Sequence, residues 1–259
     1  MIAPTKTKKV KSLFRAIKKS PFLAIDTETT GLDLHHGCSA FAVSMCNNEG
    51  KIWYFEVPVD PTNRQPQWDR KTIRELEQII LSYEDCLYVF HNAVFDIRVL
   101  SRLSKVLAKF FRKLHPRSIF DTMVMGHVLD SKGPKGLKDL SVLHLDQLDD
   151  DEEILDKTIK KLHFVAKRLG WDYARPNHPH FPGAKSKWHK MDMWLARAYA
   201  ESKEYEGTEE HREFLLNICG TYAKLDAERT AGLFLTFLNA LELTCSRYQG
   251  IPPNIPRSL

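Results

Sequence analysis

The order of apolar and polar positions divides the chain into short strands followed by helices. Phe22-Leu-Ala-Ile25 is a continuous apolar run entering Asp26-Thr-Glu28, and Thr29-Thr-Gly-Leu32 behind it has turn character. This predicts a buried strand ending at a polar corner. Ala40–Cys46 and Ile52–Val59 are two more strand-like segments, separated by the hairpin turn Asn47-Asn-Glu-Gly50. Three strands in succession predict an antiparallel meander. Beyond a loop marked by Pro58, Pro61 and Pro66, the spacing of Ile73, Leu76, Ile79 and Ile80 predicts a helix over 71–83. Residues 86–90 predict a fourth strand with His91-Asn92 at its end, and Val94, Ile97, Leu100 and Leu103 then recur at helical intervals. That is a strand-to-helix junction of the βα kind. Ser118-Ile-Phe predicts a short fifth strand before a helix capped by Asp121 and running to Val128, and 136–145 predicts another helix.

The second half is helical. Residues 152–169 are amphipathic, whereas 175–190 are rich in Pro, His, Lys and Trp and predict a long loop, unusual enough in a compact domain to suggest an inserted element. Residues 209–225 and 227–243 read as helix, as two segments or one continuous rod, and Ile251-Pro-Pro-Asn-Ile-Pro256 as an extended tail. Strands early and helices late, with no linker, predict one α/β domain. We assign 1–20 to a basic N-terminal arm, 21–245 to the domain, with 146–208 an extended helical and loop insertion, and 246–259 to the tail.

The 43% apolar content supports a sizeable core, and no apolar run reaches the ~20 residues of a membrane helix. The basic first twenty residues lack the apolar centre of a secretory signal, so an intracellular location (host cytoplasm for a viral protein) is expected. The five cysteines, Cys38, Cys46, Cys86, Cys219 and Cys245, are odd in number and form no CxxC pair, which argues against a disulfide framework or structural zinc. Net charge is +5, with Lys6, Lys8, Lys9, Lys11, Arg15, Lys18 and Lys19 crowded at the start and an acidic block at 149–153. A basic arm suits a polyanionic partner; it also suits a solvated tail.

Asp26 and Glu28 lie two apart on a strand and so share a face. Buried together, they would repel at a cost of several kcal/mol unless a cation offsets them, and an all-oxygen set calls for Mg²⁺ or Mn²⁺. Taken alone, the pair reads as two solvated acids on a surface turn. Asp96 falls in the first turn of its helix, where the dipole favours an acid, yet its neighbours Val94, Phe95, Ile97 and Val99 are apolar. Tyr222 and Asp226 are i and i+4 on one helix face, which alone would be a common structural pair.

Together, and in this order, these elements resemble the DEDDy-type, DnaQ-like 3′→5′ exonucleases, a family that includes the proofreading domains of bacterial and phage polymerase I-type enzymes and ribonuclease D. The matching segments are Phe22-Leu-Ala-Ile-Asp-Thr-Glu-Thr-Thr-Gly-Leu32, His91-Asn-Ala-Val-Phe-Asp96 and Tyr222-Ala-Lys-Leu-Asp-Ala-Glu-Arg-Thr230, with Gly136-Leu-Lys-Asp-Leu140 similar to the segment between the second and third motifs. The resemblance implies a ribonuclease H-like mixed sheet, three antiparallel strands followed by parallel additions, flanked by helices. It implies that Asp26, Glu28, Asp96 and Asp226 hold two Mg²⁺ or Mn²⁺ ions about 4 Å apart, with Asp26 bridging. Tyr222 would orient the attacking water, Leu32 would wedge between the terminal bases, and the backbone near Thr29 would meet the terminal sugar. Asn92 would contact substrate near the scissile phosphate, and Phe95 would pack beneath the site. For Leu32 and Phe95, ordinary core packing is the competing reading. His91 is read as structural.

The implied reaction releases nucleoside 5′-monophosphates from single-stranded or frayed DNA 3′ ends, as in proofreading, repair or replication, with a DNA polymerase domain or replication proteins as expected partners. The alternatives are an exoribonuclease acting on RNA like ribonuclease D, and a non-catalytic nucleic-acid-binding module. Asp-Thr-Glu-Thr-Thr-Gly and His-Asn-x-x-Phe-Asp look more like the DNA polymerase-associated members.

Overall fold

The structure, a computed structural model, describes residues 4–34, 38–147, 150–171 and 192–248. The loop expected at 175–190, with its Trp188, and the tail at 251–256 lie outside the described residues. Five strands form one sheet in the order β3-β2-β1-β4-β5. β1 (Phe22–Thr29), β2 (Ala40–Asn47) and β3 (Ile52–Glu56) make the antiparallel meander; β4 (Leu87–Phe90) and β5 (Ile119–Asp121) add in parallel on the other side of β1. The α/β mixed sheet expected from the sequence is therefore present. β1 is central, and it carries Asp26 and Glu28 near its end, as the sequence predicts. Its register with β2 shifts between Glu28 and Thr29, a bulge of the kind that re-aims side chains at sheet ends.

Around the sheet lie α1 (Pro4–Lys19), α2 (Arg70–Ser82), α3 (Ala93–Leu103), α4 (Lys105–Lys113), α5 (Thr122–Leu129), α6 (Leu137–Leu145), α7 (Asp150–Arg168), α8 (Trp194–Ala200) and α9 (Glu209–Tyr248). Local chemistry fixes several of their boundaries. Asp69 accepts from the amides of Lys71 and Thr72 to start α2, and Asp121 caps α5 through Met123 and Val124 as anticipated. Ser104 ends α3 and caps α4 at once, accepting from Val106 and Leu107. Such caps are worth about 1 kcal/mol each. The basic N-terminal segment is helical from Pro4, and the two late segments form a single helix, α9, of 40 residues.

Alternation along β1 decides what each face of the sheet meets. Phe22 and Ala24 face α5, α6 and the second half of α9, packing with Ala227, Leu233, Phe234 and Phe237. Leu23 and Ile25 face the other way, into Leu76 and Ile80 of α2, Leu100 of α3 and Leu107 of α4. Each such fully buried side chain contributes about 1.5–3 kcal/mol. A further cluster joins α7, α8 and the first half of α9 through Leu155, Ile159, Trp194, Leu195, Leu215 and Ile218. Arg64 ties that subassembly to the turn after β1: its guanidinium donates to the Thr30 carbonyl (2.7 Å) and to wholly buried Asp192 (2.5 Å), whose other oxygen lies 3.0 Å from His163 of α7. Cys38, Cys46 and Cys219 are buried thiols and Cys86 is half-buried, as small hydrophobes would be. Among the described residues no helix is long and apolar enough to cross a membrane.

Candidate active site

Because Asp26 and Glu28 follow Phe22 and Ala24 on the same side of β1, they point at α9, where helical phase brings Asp226 to meet them. Carboxylate oxygens of Asp26, Glu28 and Asp226 all lie within 4.8 Å of one another. Glu28 and Asp226 are buried, whereas Asp26 is half-buried. Asp96 arrives from the opposite face of the sheet, in the first turn of α3. It stands apart from that trio, and its Oδ1 accepts from the Thr27 hydroxyl at 2.7 Å. Its charge nevertheless reaches Asp26 and Glu28.

The electrostatics are those of like charges crowded out of water. Burial, then the charges of Glu28, Asp96 and Asp226, hold the Asp26 carboxyl well above the usual carboxylate range, with Lys138 opposing. Burial and the Asp226 charge push Glu28 up to about 8. Burial pushes Asp96 up to about 7, against the pull of the Thr27 hydrogen bond. Asp226 is raised by burial as well, though Lys138 and Arg229 draw it back. Lys138, in the first turn of α6, donates to Asp226 and sits over the Tyr222 ring, 4.0 Å from its centroid. Arg229, one turn beyond Asp226 and almost wholly buried, donates to the same oxygen at 3.1 Å. The sequence reading missed both cations. Arg229 lies three residues after Asp226 in the third motif, and Lys138 sits where the helix dipole disfavours a cation; either could have flagged the site.

An all-oxygen trio whose members all resist ionisation is a chemically apt holder for hard divalent cations. The two basic side chains supply only part of the compensation that such ions would complete.

An open pocket of about 460 Å³ lies between the β1 exit and α3, lined by Leu32, Leu34, Asn92, Val94, Phe95 and Arg98 among others, and none of the four acids lines it. Leu32 is 60% exposed, so core packing is not its role. Phe95 is half-buried against Leu34, Cys38 and Val99, combining packing with a place in the pocket wall. Asn92 has φ 75°, a left-handed conformation that Asn tolerates, and its side chain makes no capping bond. It is held by its backbone instead: Asp121 accepts from the amides of Asn92 and Ala93. Thr29 is buried with its hydroxyl committed to the Gly31 carbonyl at 2.7 Å, which leaves only its backbone for a ligand. His91 lies outside this pocket's lining, with both ring nitrogens engaged: Nε2 donates to the Lys135 carbonyl and Nδ1 meets the Thr122 hydroxyl, each at 2.9 Å.

Fold and site together place a cluster of carboxylates on a mixed α/β sheet. A family model described as 3′-5′ exonuclease matches residues 1–175, and the chain belongs to that family, whose members are metal-dependent hydrolases. The match takes in β1 through α7, with Asp26, Glu28 and Asp96; Tyr222 and Asp226 reach the site on α9, beyond it. Among solved structures, the chain is similar to the EXO domain of Nibbler from Aedes aegypti, at 11% identity and a TM-score of 0.43, over 92% of this chain and 86% of that one. No curated protein sequence matches it.

Proposed function

We propose that this protein removes nucleotides one at a time from the 3′ end of a DNA strand, releasing nucleoside 5′-monophosphates. Asp26, Glu28, Asp96 and Asp226 would hold two Mg²⁺ or Mn²⁺ ions. The observation that carries this reading is the convergence of Asp26, Glu28 and Asp226 within 4.8 Å on residues matching the family's motifs. Bound ions would supply an activated water and offset the charge that grows on the phosphodiester.

The chain's own groups do the rest. Tyr222 orients the attacking water through its hydroxyl; a phenol with an ordinary pKa near ~10 is a poor base at neutral pH. Lys138, over that ring and against Asp226, fixes the tyrosine and supplies positive charge at the edge of the site. Arg229 holds Asp226 in register. Asn92 contacts the substrate near the scissile phosphate, exposed Leu32 wedges between the last two bases, Phe95 floors the pocket, and the Thr29 backbone meets the terminal sugar. The catalytic unit occupies 21–245, with 146–208 an elaboration on it. DNA is preferred to RNA as substrate because the first two motifs resemble those of polymerase-associated members.

The test is a time course on a 5′-labelled single-stranded DNA oligonucleotide, with and without EDTA, beside the matched RNA. A ladder shortening from the 3′ end, abolished by EDTA and faster on DNA, is expected. Faster RNA cleavage would transfer the assignment to an exoribonuclease. The double variant Asp26→Ala/Glu28→Ala should lose the ladder while retaining its fold. EDTA-sensitive degradation by that variant would refute the site.

A further inference from the structure

Between Asp96 and Asp121 the chain carries no acidic residue, but it carries Arg98, Arg102, Lys105, Lys109, Arg112, Lys113 and Arg117. With these seven and the seven cations among the first twenty residues set aside, 24 Lys and Arg face 33 Asp and Glu, so the positive excess resides in these two stretches. The seven from Arg98 to Arg117 all have exposed side chains. Among the described residues, no ion pair involves any of them.

A solvated helical face ordinarily mixes signs, and α2, α7, α8 and α9 do so here. Lys71 pairs with Glu75 on α2, Lys157 with Glu153 on α7, Arg197 with Glu201 on α8 and Arg212 with Glu209 on α9. α3 and α4 instead place like charges four apart, Arg98 with Arg102 and Lys105 with Lys109 and Lys113, an arrangement that works against the helix. Leu107 and Phe111 bury one face of α4 in the core beneath the sheet. The opposite face is left cationic over a helix about 13 Å long. The stretch also begins at the pocket, since Arg98 lines the same cavity as Leu32, Asn92 and Phe95.

We infer that the exposed face of α3 and α4 is a track for the phosphate backbone of the substrate strand, 5′ of the nucleotide being removed. It would engage long strands and leave short ones to the pocket and the carboxylates alone. This inference rests on the nuclease reading only for the direction of the strand; the charge pattern stands without it. Such a surface lowers KM for long substrates and confers a steep salt dependence by counterion release.

The test uses the full-length protein with Lys105→Gln, Lys109→Gln, Arg112→Gln and Lys113→Gln combined. A charge-matched control carries Lys71→Gln, Arg74→Gln, Lys161→Gln and Lys167→Gln. Binding of a fluorescent single strand of about 20 nucleotides is read by anisotropy in EDTA across a salt series, and hydrolysis of that strand and of a tetranucleotide is read with Mn²⁺. For the α4 variant, 20-mer affinity should fall at least about tenfold and the log–log salt slope should shrink by about 3, at ~0.7 for each phosphate of a single strand left without its cation. Tetranucleotide turnover should be unchanged, and the control should keep the wild-type slope. An unchanged slope in the α4 variant would overturn the inference, as would an equal loss in the control. Loss of tetranucleotide turnover together with the 20-mer would overturn it too. A wild-type protein that hydrolyses neither substrate would fail the nuclease reading, while the EDTA arm would still decide the track.

Discussion

Glu28→Gln is the perturbation that exposes most directly what the carboxylate cluster costs the fold. Burial and the Asp226 charge raise Glu28 from an ordinary 4.5 to about 8. Between those values, the folded protein keeps a proton that the unfolded chain has released. The stability tied to this group is therefore complete below pH 4.5 and is lost progressively as pH rises through 8. At pH 7, the interval from 4.5 upward corresponds to about 3 kcal/mol, at 1.36 kcal/mol per pH unit. Glutamine cannot ionise, so the variant escapes that cost. At about 2–4 °C per kcal/mol for a chain of this size, its Tm in EDTA should exceed the wild type by on the order of 5–10 °C at pH 7 and by almost nothing near pH 4.5. Adding Mg²⁺ or Mn²⁺ should reverse the ranking, since ligand binding to the native state stabilises the wild type and barely helps a protein missing one ligand. Differential scanning fluorimetry across pH, with EDTA and with each cation, reads all of this. Coincident melting curves at pH 7 in EDTA would show that the cluster is not under electrostatic strain and would remove the cation-neutralisation argument.

Tyr222→Phe should slow hydrolysis by about 10²-fold, the usual effect of removing one well-placed hydrogen-bonding group, while anisotropy shows DNA affinity unchanged; a wild-type rate would end the role given to the phenol. Gly220→Ala places a Cβ 2.9 Å from the Tyr54 ring, whose hydroxyl is tied to Glu56. Overpacking of about 1–3 kcal/mol should outweigh the ~1 kcal/mol that alanine gains in a helix. Urea denaturation should then show a net loss of stability, and a gain would mean that α9 sits more loosely on β3 than the structure has it.

The sheet was legible because each strand is bounded by a turn or junction signal: Asn47–Gly50 between β2 and β3, His91-Asn92 after β4, Asp121 after β5. Helices with one apolar stripe, such as α2 and α3, were legible for the same reason. α4 escaped because it begins one residue after α3 ends, with only Ser104 to mark the break. α8 escaped because it is buried on nearly every side, so Trp194-Leu-Ala-Arg-Ala-Tyr-Ala200 shows no polar face to set a period against. The four acids and Tyr222 were readable as motif residues of one site, yet which acids lie closest together was not. That Asp26, Glu28 and Asp226 share one face while Asp96 comes from the other follows from the strand phase of β1 and the side on which α3 and α9 pack. Lys138 is a tertiary partner, 88 residues from Asp226 in sequence, and no local pattern announces that pairing.

The joining of β1 to α9 has a consequence for how the protein is made. Asp26 leaves the ribosome long before Asp226, yet the two share one site. Until α9 has emerged and docked, the nascent chain holds an incomplete acidic trio, and any product truncated ahead of residue 226 lacks one of its three carboxylates for good. On the proposed assignment of the site, the centre is complete only once α9 has been made, so copies terminated ahead of residue 226 would be left without it.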